Sequence, residues 1–142
     1  MTRDPARVFI AVLSVFSIIE GGLSVLVAAS ERADSAITFI VKMDPTHGAL
    51  HVLNGCVGLL FLRFGTDRAC RGFAAIFGVV YALLGVVGAI AGSQGHALGL
   101  GLRAPDHPLH VVIGCAGVFA AWKSSRRPAP STQNLSSPRG AR

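Results

Sequence analysis

Long apolar runs with almost no charge, separated by short charged clusters, limit what this chain can fold into more than any other feature. Four such runs cover residues 8–29, 45–62, 72–92 and 108–122. About 20 apolar residues in a helix cross the roughly 30 Å hydrocarbon layer of a bilayer. Charged residues make up only 14% of the chain, whereas soluble domains carry about a quarter. The pattern predicts an all-α integral membrane protein with four spans and no soluble catalytic module.

The ends of these runs carry helix signals. Asp44-Pro45 begins the second run and Ala104-Pro105-Asp106 precedes the fourth; an acidic cap followed by proline is typical of a helix start. The first run is longer than the apolar part of a signal peptide, about 7–15 residues, so it is interpreted as a retained span. Residues 1–124 form one predicted membrane domain. Residues 125–142, rich in Ser, Pro and Arg, form a predicted disordered cytoplasmic tail.

The basic residues predict the orientation of the chain. They flank the spans, and cytoplasmic loops carry the excess of Lys and Arg. Only Arg32, Lys42 and Arg103 lie on one side of the predicted membrane, and the other side carries Arg3, Arg7, Arg63, Arg68, Arg71, Lys123, Arg126, Arg127, Arg139 and Arg142. We therefore expect a multi-pass plasma-membrane protein with both termini in the cytoplasm. This placement of charge also argues against a nucleic-acid partner.

An internal repeat predicts how the spans are arranged. Residues 50–58 (LHVLNGCVG) match residues 109–117 (LHVVIGCAG), and the first and third runs match more weakly. The chain is therefore predicted to be a four-helix bundle of two parallel-related hairpins, with a pseudo-twofold axis along the membrane normal. Small residues let helices approach closely in lipid, and the candidate packing positions are Gly55, Gly58, Gly88, Gly92, Gly114 and Gly117.

Four histidines are the main candidates for chemistry. His47 and His51 are four residues apart, and His107 and His110 are three apart; both spacings place a pair on one helix face. Both pairs lie at the predicted outer ends of their spans. Neutral imidazole binds zinc, copper and iron, so the four rings are a candidate metal site. The alternative is a structural role at the membrane interface. Candidate second-shell acceptors are Asp44 and Asp106.

Glu20 is the second anomaly, because a carboxylate near mid-membrane costs about 2.5–3.5 kcal/mol and needs a partner. Helical rise places it near the depth of Asn54. Under the repeat alignment, the counterparts of Glu20 and Asn54 are the apolar Leu84 and Ile113. Since both polar positions change together, we expect Glu20 and Asn54 to form a buried polar pair.

Two motifs resemble those of a bacterial family of small four-span membrane proteins, catalogued as a domain of unknown function. One is Asp44-Pro45-Thr46-His47-Gly48-Ala49-Leu50-His51, like that family's H-x-x-x-H span start. The other is Asp106-His107-Pro108-Leu109-His110, like its D-x-x-L-H start. The resemblance covers roughly residues 7–122. It implies that His47, His51, Asp106 and His110 are family-type positions, while His107 lies in a variable slot. It implies no activity.

Three hypotheses of function remain open at this stage. The first is a non-enzymatic accessory or structural subunit, bound to lipid and to other membrane subunits or to copies of itself. The second is a redox or sensor protein that binds a metal or haem through the outer histidines; which cofactor it takes, if any, is unknown from the sequence. The third is a proton-linked transporter or channel component that uses Glu20 and His51. No catalytic residues are predicted, because the chain has no nucleophile–base motif, phosphate loop or dinucleotide fingerprint.

Overall fold

Four α-helices make up almost all of the described chain. The computed structural model describes residues 4–29, 44–91 and 102–127. Within these ranges there is no strand, and the helices are α1 (Pro5–Ala29), α2 (Pro45–Phe64), α3 (Asp67–Ala91) and α4 (Asp106–Ser125). The first three are long and apolar enough to cross a membrane. The predicted all-α fold of four helices is confirmed. Of the four predicted spans, the first three meet the length and apolarity of a membrane span, and α4 is not among them.

The helices extend beyond the predicted spans. α1 begins at Pro5 rather than at residue 8, and α3 begins at Asp67 rather than at residue 72. α2 continues to Phe64, which leaves only Gly65 and Thr66 between α2 and α3. Hydropathy identifies only the apolar part of a helix. A helix can continue beyond that part where long basic side chains place their charged groups in water. Residues 92–101 and 128–142, which include Gly92 and most of the predicted tail, lie outside the described residues.

The bundle consists of two tight hairpins. α1 packs along α2, and α3 packs along α4, each over most of its length. The hairpins meet mainly through α1, which contacts both α3 and α4, whereas α2 and α3 touch only lightly. No Cα atom of α2 lies within 8 Å of one in α4. These two helices therefore lie on opposite corners of the bundle, and only side chains connect them.

The distribution of side chains is the reverse of that in a soluble protein. Large apolar side chains face outward, with Val12 66% and Ile90 81% exposed. The interior instead holds small and polar groups, including Ser14 and Ser17, which are 1% exposed. Water would not tolerate so continuous an apolar surface on a monomer. Lipid does, and this arrangement supports contact between the helices and a bilayer.

Polar contacts connect the ends of the helices at one end of the bundle. The Ser124 hydroxyl donates to Asp4 Oδ1 at 2.9 Å, so the start of α1 lies beside the end of α4. Arg7 forms an ion pair with Asp67 at 2.6 Å and donates to the main-chain oxygens of Leu62 and Gly65. The described ends of the chain therefore lie at the same end of the bundle. Which side of a membrane this end faces stays a prediction.

Glycines line the contacts within each hairpin. A Cβ atom at Gly55 would lie 2.7 Å from the main-chain oxygen of Ser14, and one at Gly114 would lie 2.6 Å from the main-chain oxygen of Gly78. The other predicted packing glycines in the described chain are also buried; they are Gly58, Gly88 and Gly117. Gly55, Gly114 and Gly117 thus lie against the backbone of a neighbouring helix, whereas Gly58 lies against the Ser14 side chain and Gly88 against the His107 ring. The internal repeat itself stays a prediction.

Candidate functional site

The histidine pair of α2 is placed by a well-capped helix start. Asp44 Oδ1 accepts from the Thr46 backbone N–H at 2.9 Å, and Pro45 occupies the first helical turn. This start sets the helix phase so that His47 and His51, one turn apart, both face the interior. Each is 4% exposed.

His110 of α4 completes a three-histidine cluster with this pair. The ring centroids are 4.7 Å apart for His47 and His51, 5.8 Å for His47 and His110, and 6.0 Å for His51 and His110. One nitrogen from each ring lies within 4.8 Å of one nitrogen of each other ring. Because α2 and α4 do not touch through their backbones, these imidazoles fill the space between opposite corners of the bundle. Sequence spacing and the repeat predicted that four imidazoles converge, whereas three of them lie together here and His107 is not among them.

Hydrogen bonds fix two of the three rings. His51 Nδ1 lies 3.1 Å from Glu20 Oε2, and His110 Nδ1 lies 2.6 Å from the main-chain oxygen of Asp106. The carbonyl oxygen of Asp106 can only accept, so Nδ1 carries the proton on His110. Nδ1 carries the proton on His51 as well when Glu20 is ionised, because a carboxylate can only accept. Nε2 of each neutral ring therefore keeps a free lone pair. The buried Nε2 of His51 and Nδ1 of His47 have no hydrogen-bond partner within residues 4–29, 44–91 and 102–127.

The predicted Glu20–Asn54 pair is replaced by two other contacts. Glu20 bonds to His51, while the Asn54 amide donates to the Tyr81 hydroxyl at 3.4 Å. Helical rise gives the depth of a residue but not the direction of its side chain. Glu20 faces the histidine cluster, whereas Asn54 faces α3. Both polar residues are near the site, in different roles from the one expected.

Tyr81 is the neighbour of the site that the sequence did not reveal. Its ring lies between Phe77, at a centroid distance of 4.0 Å, and His110, at 4.8 Å, nearly parallel to both. It is the only tyrosine of the chain. A single aromatic residue within a span is usually a packing residue, so the sequence offered little reason to place Tyr81 at the site. The one indication was that a buried tyrosine hydroxyl needs a hydrogen-bond partner.

The remaining candidates lie beside the cluster. His107 is buried against Gly88 and is not part of the cluster, and neither of its ring nitrogens has a partner among the described residues. The Asp106 carboxylate accepts from the Arg103 backbone N–H at 2.7 Å, so Asp106 orients His110 through its main-chain oxygen only. The Asp44 carboxylate caps α2. The carboxylate that orients a histidine is instead that of Glu20.

Comparison with known protein families agrees with the motifs. The family model described as DUF4383, a domain of unknown function, matches residues 7–123. The chain belongs to the DUF4383 family. The resemblance seen in the sequence is thereby confirmed, and the three-histidine cluster lies entirely inside the DUF4383 match. No curated protein and no solved structure matches the chain. The DUF4383 assignment supports the architecture and brings no chemistry with it.

Proposed function

We propose that this protein is a non-enzymatic membrane protein that binds a first-row transition-metal ion through His47, His51 and His110. The observation that carries the proposal is the convergence of three buried imidazoles, two of which present a lone pair on Nε2. Three histidines with an open fourth position form a common zinc site, and imidazole also suits copper and iron.

The geometry requires little rearrangement for such an ion. Nitrogens at about 2.0–2.1 Å from a tetrahedral zinc ion lie about 3.3 Å from one another. The corresponding atoms here lie within 4.8 Å, so the rings need to move by the order of 1 Å. Rotation of the His47 side chain at the start of α2 supplies such a movement without displacing a helix.

The surroundings favour a bound cation. An imidazole nitrogen without a partner in an apolar interior carries a desolvation cost of about 1–3 kcal/mol, and a metal ion removes that cost. Glu20 supplies a negative charge next to His51 at 3.1 Å. Carboxylate–histidine–metal arrangements of this kind orient the ring and make it a better ligand. A divalent ion would therefore be partly neutralised inside the bilayer.

Metal analysis of the purified protein tests the proposal. The detergent-solubilised protein, stripped with a chelator and reloaded with Zn²⁺ or Co²⁺, is expected to retain one ion per chain after desalting. Co²⁺ should give the visible absorption of a four-coordinate site. The same spectrum of the untreated protein distinguishes haem, the alternative cofactor, by its intense porphyrin band. A folded protein that retains neither metal nor haem contradicts the proposal.

Glu20→Gln is expected to weaken metal binding while leaving the fold intact. Glutamine keeps the length of the side chain, but it removes the charge that holds the His51 Nδ1 proton. Loss of such an outer partner typically costs about 10–100-fold in metal affinity. Competition with a chromophoric chelator measures the change. Asn54→Gln is the control, because the hydrogen bond found for Asn54 goes to Tyr81 and not to a histidine. Equal affinity of the Glu20 variant and of wild type would show that Glu20 does not contribute to the site.

Direct contact between Glu20 and His51 also favours a second candidate function, proton-linked transport. A carboxyl group and an imidazole 3.1 Å apart inside a membrane span form the kind of pair that proton relays use. The supporting measurement is proton flux in proteoliposomes, which Glu20→Gln should abolish. Flux that is absent from wild type, or that this variant does not change, counts against the transporter.

The wider role we propose is that of an accessory protein in the plasma membrane, with both termini in the cytoplasm. The excess of basic residues on one side supports this orientation, and the lack of nucleophile–base motifs supports a non-enzymatic role. Close glycine packing within the hairpins leaves the large apolar side chains of the outer surface available to lipid, to other subunits or to a second copy.

A further inference from the structure

Two lateral grooves separate the hairpins, one on each side of the bundle. The α2–α3 groove has a volume of about 440 Å³, and its walls include Asn54, Phe61, Phe73, Phe77, Tyr81 and Leu84. The α1–α4 groove has a volume of about 270 Å³, and its walls include Phe9, Val12, Leu13, Phe16, Val112 and Ile113. Small-molecule sites usually measure about 300–1,000 Å³. The volume of the α2–α3 groove falls within this range, and that of the α1–α4 groove lies just below it.

The repeat alignment makes these grooves counterparts of each other. It pairs Phe73 with Phe9, and Asn54 with Ile113, and each pair lines the equivalent wall of its groove. The α1–α4 groove is lined by apolar residues only. The α2–α3 groove differs from it by having an amide and a phenol. The α1–α4 groove has isoleucine, Ile113, at the position of Asn54. Polar groups are therefore not needed for packing at this position between the hairpins.

The polar groups of the α2–α3 groove have unused hydrogen-bonding capacity. The one bond between them runs from Asn54 Nδ2 to the Tyr81 hydroxyl oxygen at 3.4 Å. Within the described chain, no other partner is found for the second amide hydrogen and the carbonyl of Asn54, or for the hydroxyl hydrogen of Tyr81. Polar groups without partners are costly in a hydrocarbon medium, where no water can replace them. A ligand with a polar head would satisfy them.

The position of Tyr81 is fixed before any ligand arrives. Its ring is stacked between Phe77 and His110, at centroid distances of 4.0 and 4.8 Å. The hydroxyl therefore has a defined place in the groove wall, and binding loses little side-chain entropy there. Groups held in this way serve recognition better than mobile surface side chains do.

We propose that the α2–α3 groove binds the head of a membrane-soluble quinone. A ring carbonyl would accept from the Tyr81 hydroxyl and the Asn54 amide, and the Asn54 carbonyl would accept from the hydroxyl of the reduced form. None of the described residues that line the groove is charged, which disfavours fatty acids and phospholipid heads. The phenylalanine rings of the wall suit a flat ring. Exposed Ile76 and Val80 at the rim allow entry from lipid. The site does not depend on a metal at the histidines.

Photolabelling in a defined bilayer tests the quinone site. The full chain in phosphatidylcholine nanodiscs would be irradiated with an azido-quinone carrying a short alkyl chain, and the labelled peptides mapped. We expect label on α2 and α3 near Asn54 and Tyr81, and not in the α1–α4 groove. Excess decylubiquinone should compete, and cholesterol should not.

Variants of the two grooves provide the matched controls. Asn54→Ile gives the α2–α3 groove the residue of its counterpart, and Tyr81→Phe removes only a hydroxyl, so each is tested alone as well as together. With two hydrogen bonds lost, labelling should fall about tenfold or more. Ile113→Val, in the α1–α4 groove, should change nothing. Equal labelling of both grooves, equal competition by cholesterol, or undiminished labelling of folded Tyr81→Phe and of the double variant would overturn the proposal.

Discussion

Replacing both His51 and His110 by alanine is expected to abolish stoichiometric metal binding. Four-ligand structural zinc sites bind with about 10–16 kcal/mol, so each ligand supplies on average about 3 kcal/mol, a factor of about one hundred in affinity. Loss of two ligands should therefore weaken binding by roughly four orders of magnitude. Elemental analysis after desalting and the Co²⁺ spectrum measure this loss, and circular dichroism verifies that the helices remain.

His107 offers a matched control for this experiment. It is buried on the same helix as His110, three residues away, but it contacts Gly88 and lies outside the cluster. His107→Ala removes the same ring from the same helix turn, so it should leave one metal ion per chain. If the double variant retained metal, or if His107→Ala lost as much as the double variant did, the three-histidine site would be wrong.

Periodicity predicted the cluster because it determines helix faces. Spacings of four on α2 and three on α4 placed histidines on interior faces, and the repeat placed His51 and His110 at equivalent heights. The structure brings these two together with His47. It separates His107, whose ring packs against Gly88 of α3. A step of three residues keeps two side chains on the same broad face but leaves them about 60° apart around the helix axis. Helical spacing alone does not show which histidine of a pair points to the centre of the bundle.

The side-chain contacts between neighbouring helices could not be read from the sequence. The Glu20–Asn54 pair was inferred from depth and from a joint change between repeats, and both residues do lie near the site. Their partners depend on the rotation of α1 against α2 and of α2 against α3. Tyr81 reaches His110 only because α3 packs closely on α4. Such rotations are set by glycine contacts along the whole hairpin, which no local pattern records.

Gly21→Ala is expected to destabilise the protein and to weaken metal binding at the same time. A Cβ atom at Gly21 would collide with the main-chain oxygen of Gly48 and lie 2.9 Å from the Cβ of His51. Overpacking of this kind typically costs about 1–3 kcal/mol. Relief of the collision requires α2 to move away from α1, and His51 moves with it, away from Glu20 and from the other two rings.

Gly22→Ala is the control for this prediction, one residue further along α1. Apart from the adjacent backbone of α1 itself, no atom of the described residues lies within 4 Å of the Cβ position at Gly22. Alanine also favours a helix over glycine by about 1 kcal/mol. This variant should therefore unfold no more easily than wild type and bind metal equally well.

Unfolding in mixed micelles, followed by circular dichroism, gives the stability of each variant, and chelator competition gives its metal affinity. If Gly21→Ala lowered stability without lowering metal affinity, the close contact of α1 and α2 would stabilise the fold without positioning His51. Loss of both together would show that the glycine contact holds the histidine in place.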